Sequence, residues 1–139
     1  MSLPSQPTPV PTPNAPPVAG PYSPAMRAGE WIVLAGQVGF DPSTATIVEG
    51  GAAAQATQAL ANVAAVLGDC GASFADVAKT TVFVTDMADF AAVNAAYAEA
   101  FGVHRPARST VEVSALPAGA AVEIEVWAYC PEGPPPLAD

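Results

Sequence analysis

Apolar residues recur along this chain in two periods, and the alternation between them lays out the elements. Trp31-Ile32-Val33-Leu34-Ala35-Gly36 is a short β-branched run that predicts a buried strand, and Arg27-Ala28-Gly29-Glu30 before it predicts a hairpin turn. From Gly51 to Gly71 the period lengthens. Ala56, Leu60, Val63 and Leu67 make an apolar stripe, while Gln55, Gln58, Asn62 and Asp69 make a polar one. Together they predict an amphipathic helix that Gly71 ends. Val77 to Val84 predicts another strand. A second helix starts around Asp86 to Asp89, carries Phe90, Val93, Tyr97 and Phe101 at spacings of three and four, and stops at Gly102. Two closing strands, Ser109 to Ser114 and Ala121 to Ala128, are joined through Leu116-Pro117-Ala118-Gly119. This order implies an α+β fold, a mixed sheet with two helices packed on one face.

The closing strands read most simply as a hairpin. With its turn centred on Pro117-Ala118, Arg108, Thr110 and Glu112 stand opposite Trp127, Glu125 and Glu123. Val111, Val113, Val122, Ile124 and Val126 then form the core face. Glu112 opposite Glu123 then makes a like-charge pair, which costs energy and is expected to raise the proton affinity of Glu123.

Met1 to Pro17 is a Pro/Ser/Thr/Gln tail, residues 18–130 form one domain, and residues 131–139 are a second Pro-rich tail. Hydrophobic residues make up 51% of the chain and charged ones only 12%, a balance that predicts subunit contacts and a homo-oligomer. No window has the length of apolar sequence that a membrane span needs. The first residues lack the basic start and apolar core of a secretory signal, so the expected location is cytoplasmic, with Cys70 and Cys130 as free thiols and a single disulfide as the alternative. Two cysteines and one histidine do not make a zinc site, and neither metal nor cofactor is expected.

Charge sharpens the functional reading. The net charge is −9 with four cations in all, and two of those four sit in His104-Arg105-Pro106-Ala107-Arg108 beside the single histidine. So acidic a chain is a poor partner for nucleic acid. Pro106 stiffens the approach to the strand, which fixes Arg108 at its entrance. A guanidinium held there suits bidentate capture of a small carboxylate or phosphate, and an internal ion pair is the competing role.

Further motifs occur in a fixed order. Asn14-Ala15-Pro16, Gly20-Pro21-Tyr22-Ser23, Gly36-Gln37, Gln58-Ala59-Leu60-Ala61-Asn62-Val63, Lys79-Thr80-Thr81-Val82-Phe83-Val84, Val93-Asn94-Ala95-Ala96-Tyr97, Pro106-Ala107-Arg108-Ser109, Leu116-Pro117 and Val122-Glu123-Ile124-Glu125 together resemble the RidA (YjgF) family of imine and enamine deaminases. The resemblance runs from about Asn14 to Ala128. It implies a chorismate-mutase-like fold, a homotrimer with clefts between subunits, and hydrolysis of 2-imino acids from pyridoxal-phosphate enzymes to 2-keto acids and ammonia.

Carried over residue by residue, the resemblance makes Arg108 the holder of the substrate carboxylate and Glu123 the group that orients the attacking water. Tyr22, Ala35, Gly36, Asn94 and Thr110 would line the cleft. Ala35 stands where many members have serine, Thr110 where many have cysteine, and Gly39 where proline is usual. The segment between Tyr97 and Pro106 is also shorter than typical. His104 and Arg105 are not family hallmarks and read as loop residues near the cleft mouth. An enzyme is the leading reading, because holding a carboxylate alone would require Arg108 but not Glu123. A non-catalytic carboxylate-binding protein is the alternative.

Overall fold

Residues 6–131 are described by the computed structural model. Short strands β1 (Thr8–Pro9), β2 (Ala25–Ala28) and β3 (Trp31–Leu34) open the chain. Strands β2 and β3 form the expected hairpin, with Ala25 opposite Leu34 and the turn at Gly29-Glu30. Gly29 has φ +60°, a conformation that glycine adopts without steric cost. Thr8 pairs with Arg27, and Val10 and Pro16 are buried, so the chain joins the domain well before Val18. The proline-rich residues beyond Pro131 lie outside the described residues.

Three two-residue strands follow, β4 (Gln37–Val38), β5 (Phe40–Asp41) and β6 (Thr46–Ile47), and lead into helix α1 (Gly51–Asp69). Its stripe is the one the sequence predicts. Ala56, Leu60, Val63 and Leu67 are all buried, against a sheet face made of Val82, Val84, Ile124 and Val126. Each such valine or leucine side chain contributes about 1.5–3 kcal/mol on leaving water.

The polar positions of α1 do not all face solvent. Asn62 is 2% exposed and donates from Nδ2 to the carbonyls of Val38 at 3.2 Å and Phe40 at 2.9 Å. Gln55 accepts from the Ala121 amide at 2.8 Å. These amides tie β4, β5 and the start of the last strand to the helix. Gly39 lets the helix come this close, since a Cβ there would stand 2.8 Å from the Gln55 backbone. The chain has no room for the proline usual at that position.

Strand β7 (Val77–Val84) leads through a 3₁₀ turn at Met87–Asp89 into helix α2 (Phe90–Phe101). Gly102 ends α2 at φ +65°. Strands β8 (Ala107–Glu112) and β9 (Val122–Tyr129) complete one sheet of order β1-β2-β3-β9-β7-β8, with β4 also paired to β9.

The closing hairpin is not formed. Strand β8 runs parallel to β7, with Arg108 opposite Thr80, and β9 runs antiparallel to β7 on its other side, with Glu123 opposite Phe83. Helix α2 supplies the crossover that a parallel β7–β8 pair requires. Residues 113–121 then carry the chain across β7 to β9. Period-two alternation marks a strand but does not name its partner, and the hairpin assumed the neighbour in sequence.

This topology reassigns the faces. Thr80, Val82 and Val84 on β7 are buried under the helices, so their partners Arg108, Thr110 and Glu112 share the helix side of the sheet. Ser109 and Val111 lie on the open side with Thr81 and Phe83. Glu123, Glu125, Trp127 and Tyr129 are on that side too, because Val122, Ile124 and Val126 are buried opposite Val84, Val82 and Thr80. Glu112 and Glu123 are not neighbours. The Glu112 carboxylate instead accepts from the Met87 amide at the start of the 3₁₀ turn.

The open side carries Trp31, Val111, Trp127 and Tyr129, each between 38% and 46% exposed. The Trp31 ring packs edge-on against Trp127 and Tyr129, with centroids 6.4 and 5.2 Å apart. Among the described residues, none covers this apolar face. Both cysteines are buried free thiols, and burial above all pushes the Cys70 thiol up to about 11, which makes it a poor nucleophile.

Candidate active site

Arg108 enters on the edge strand β8 and leans over helix α2. Its guanidinium carbon lies 4.8 Å from the centroid of Tyr97 and 5.7 Å from that of Phe90. Phe90, Asn94 and Tyr97, spaced i, i+4 and i+7, share the face of α2 that meets β8. The Tyr97 ring is itself fixed, since its hydroxyl bonds the buried Thr80 hydroxyl at 2.8 Å and the ring stacks on Phe101 at 4.5 Å. Burial raises the Tyr97 phenol above its ordinary value, more than the Thr80 bond and the Arg108 and Arg105 charges lower it. A neutral ring under a cation contributes about 0.5–2 kcal/mol and restricts where the guanidinium can go. Its remaining donors face an open hollow of about 440 Å³ lined by Asn94, Tyr97, Ala98, Arg105, Pro106 and Arg108.

Glu123 belongs to a different place. It lines a small hollow of about 50 Å³ with Tyr22, Gly36, Gln37, Phe40 and Pro117. Pairing of β4 with β9 sets Val38 opposite Glu123, and the preceding Gly36 lies against the carboxyl. A Cβ on Gly36 would come within 2.7 Å of Glu123 Cδ. Half-burial raises the Glu123 carboxyl above the usual carboxylate range, with the charge of Glu125 as the second cause. The raised proton affinity expected from the sequence is therefore present, but its source is burial and Glu125 rather than Glu112.

The seven candidate residues thus divide. Asn94 joins Arg108 on one side of the sheet, while Tyr22 and Gly36 join Glu123 on the other. Ala35 precedes Gly36 and donates its amide to Pro24 at 2.9 Å, without lining either hollow. Thr110 is two residues along β8 from Arg108 on the same face, and its hydroxyl is buried without a hydrogen-bond partner. His104 lies apart from both hollows, its Nε2 bonded to the Val77 carbonyl at 2.7 Å. Arg105, expected on a loop near the cleft mouth, lines the hollow with Arg108.

Sequence reasoning missed the aromatic platform. Phe90 and Tyr97 read as an ordinary core stripe, and the available signal was the asparagine between them on the same face. Pro16 and Pro17, read as tail, form part of the wall beside Tyr22.

The fold and the two hollows define a family. The model of the endoribonuclease L-PSP family matches residues 12–130, and the chain belongs to that family, the RidA (YjgF) proteins. Among its relatives, a RutC family protein of Pyrococcus horikoshii is 49% identical over 118 residues, 85% of this chain and 94% of the relative. The human protein named 2-iminobutanoate/2-iminopropanoate deaminase is 43% identical over 123 residues, 88% of each chain. Among solved structures, RidA from an Antarctic Psychrobacter superposes with a TM-score of 0.84 at 40% identity, covering 88% of this chain and 98% of that one.

Gly36→Ala provides a local probe of the Glu123 hollow. The added methyl must push the flexible carboxyl aside while leaving the buried sheet intact. If Glu123 orients the water in an imine hydrolysis, keto-acid release in a coupled assay is expected to fall by up to about a hundredfold, the cost of misplacing a catalytic group by an ångström. The thermal unfolding midpoint should change little. Unaltered turnover would show that the Glu123 position is not critical.

Proposed function

We propose that this protein is an imine deaminase, hydrolysing 2-imino acids such as 2-iminobutanoate or 2-iminopropanoate, and their enamine tautomers, to 2-keto acids and ammonia. We infer further that it works as a homotrimer. In this reading the Arg108 hollow of one copy meets the Tyr22–Gly36–Glu123 hollow of the next.

One observation carries the proposal. Arg108 and Glu123, the two groups the chemistry needs together, lie on opposite sides of one sheet, and the side bearing Glu123 has an uncovered apolar surface. A hollow of 50 Å³ is too small for a substrate, whereas binding sites ordinarily enclose several hundred cubic ångströms. Docking a second copy on the open face would bury Trp31, Val111, Trp127 and Tyr129 and would complete the cleft. A surface that meets a different surface on the next copy forms a ring when the rotation between copies closes, as it does in a trimer.

The mechanism follows from the groups present. Arg108 takes the substrate carboxylate in a bidentate grip and so fixes the C=N carbon. Glu123, ionised, accepts a hydrogen bond from a water and removes its proton as the oxygen adds to that carbon. The resulting carbinolamine carries hydroxyl and amine on one carbon. Proton transfer to nitrogen expels ammonia, and the C–O bond becomes the ketone. The imine carbon is already electrophilic, so positioning and proton transfer account for the rate. A net charge of −9 supports a small metabolite rather than RNA as the substrate, despite the word endoribonuclease in the family's description.

The test couples this protein to a pyridoxal-phosphate threonine dehydratase and follows appearance of the keto acid. Acceleration over the uncatalysed hydrolysis supports the reading. A rate equal to the blank, from protein whose mass in solution is that of an oligomer, would contradict it.

A further inference from the structure

We propose that Arg105 forms, with Arg108, a two-guanidinium site that selects imines of dicarboxylic amino acids, such as 2-iminoglutarate. This rests on the deaminase reading and adds to it the class of substrate. Arg108 holds the carboxylate next to the imine carbon, and Arg105 holds the carboxylate at the far end.

Four cations serve the whole chain, and two of them line one hollow. Their placement is not a consequence of a basic surface. Among the described residues, no acidic side chain is a hydrogen-bond partner of either guanidinium. Arg108 rests on the rings of Tyr97 and Phe90, and Arg105 donates through Nη1 to the Gly102 carbonyl at the end of α2. That bond occupies one nitrogen and anchors the side chain at the rim of the hollow. The other donors of its fork remain for a ligand.

Arg108 lies over the Tyr97 ring on the floor of the hollow, and Arg105 lines the same hollow from its rim. A monocarboxylic imine offers a single anionic group and leaves Arg105 without work. The extended segment from Arg105 to Arg108 sets their Cα atoms no more than roughly 10–11 Å apart. From there, two flexible arginine stems can close on the ends of a five-carbon dicarboxylate. Pro106 between them holds the spacing. Hydrolysis is balanced as before: 2-iminoglutarate and water give 2-oxoglutarate and ammonia. The supplying reaction is an oxidation of an acidic amino acid at its α-carbon.

The competing role for Arg105 is a plain cap on the α2 carbonyls, which would affect all substrates alike. The experiment therefore reads a preference. 2-Iminoglutarate and 2-iminobutanoate are generated in situ by amino-acid oxidases, and kcat/KM is measured for wild type, R105Q and R105K. The wild type is expected to favour the dicarboxylate by tenfold or more, the ratio to fall at least tenfold in R105Q, and R105K to keep part of it. Equal losses on both substrates, or no preference in the wild type, would overturn the proposal while the deaminase reading stood.

Titration of the wild type and R105Q with 2-oxoglutarate and 2-oxobutyrate separates the remaining case. With neither imine hydrolysed, tighter binding of 2-oxoglutarate that R105Q abolishes would sustain the two-arginine site and sink the deaminase. Equal binding of the two keto acids would sink the site as well.

Discussion

Arg108→Ala is expected to lower kcat/KM for imine hydrolysis by roughly 30- to 1,000-fold, the equivalent of about 2–4 kcal/mol of lost charged contact in the transition state. The fold should survive. The side chain is exposed, and its loss removes only the cation–ring contacts with Tyr97 and Phe90, worth about 0.5–1 kcal/mol at an exposed site. Arg108→Lys should recover little, because a point charge neither forks onto a carboxylate nor lies flat on the tyrosine. Circular dichroism and mass in solution check assembly, and the coupled assay reads activity. Wild-type turnover from the alanine variant would remove Arg108 from the mechanism.

Glu123→Gln is expected to lower the rate by about a hundredfold or more, the usual contribution of a general base. Glu125→Gln should cost far less and should instead move the pH profile. The Glu123 carboxyl is held above its usual range by burial and then by the Glu125 charge. Activity that needs the ionised form falls as the pH drops through that raised value. Removing the neighbouring charge lowers it, so the acid limb in Glu125→Gln should lie at lower pH than in the wild type.

Stability runs the other way. An acid whose folded pKa is raised favours the folded state at pH below its unfolded value, and that contribution is lost as the pH rises through the folded one. Glu123→Gln should therefore raise the unfolding midpoint near neutral pH relative to the wild type. A larger activity loss in Glu125→Gln than in Glu123→Gln would identify the wrong carboxylate.

The elements were legible because each carries its own signal. The α1 stripe of Ala56, Leu60, Val63 and Leu67, the break at Gly102 and the β-branched run to Val84 all stand where their periods put them. Partnership was not legible. Ser109 to Ser114 reads as a strand of either neighbour, and only the crossover through α2 and the exposure of Val111 decide for β7.

The same gap governs the site. Arg108 and Glu123 could be named from charge pattern and from family motifs, but the hairpin placed them on one face. The sheet separates them within one chain, and this separation is the ground for proposing the between-subunit site that the resemblance implies. Asn62 and Gln55 were legible as polar but not as buried, because their partners are backbone groups that no side-chain pattern records. Arg105 was undervalued because the family motifs do not include it.

The shared site is the central claim, and subunit mixing tests it most directly. Arg108→Ala and Glu123→Gln, each nearly inactive alone, are co-expressed or unfolded and refolded together so that copies exchange. If one copy's Arg108 works with another's Glu123, random mixing leaves about a quarter of the clefts with both groups intact, and about a quarter of wild-type activity should return. A mixture that forms mixed oligomers yet stays as inactive as its parents would place both groups in one chain's cleft and contradict the account.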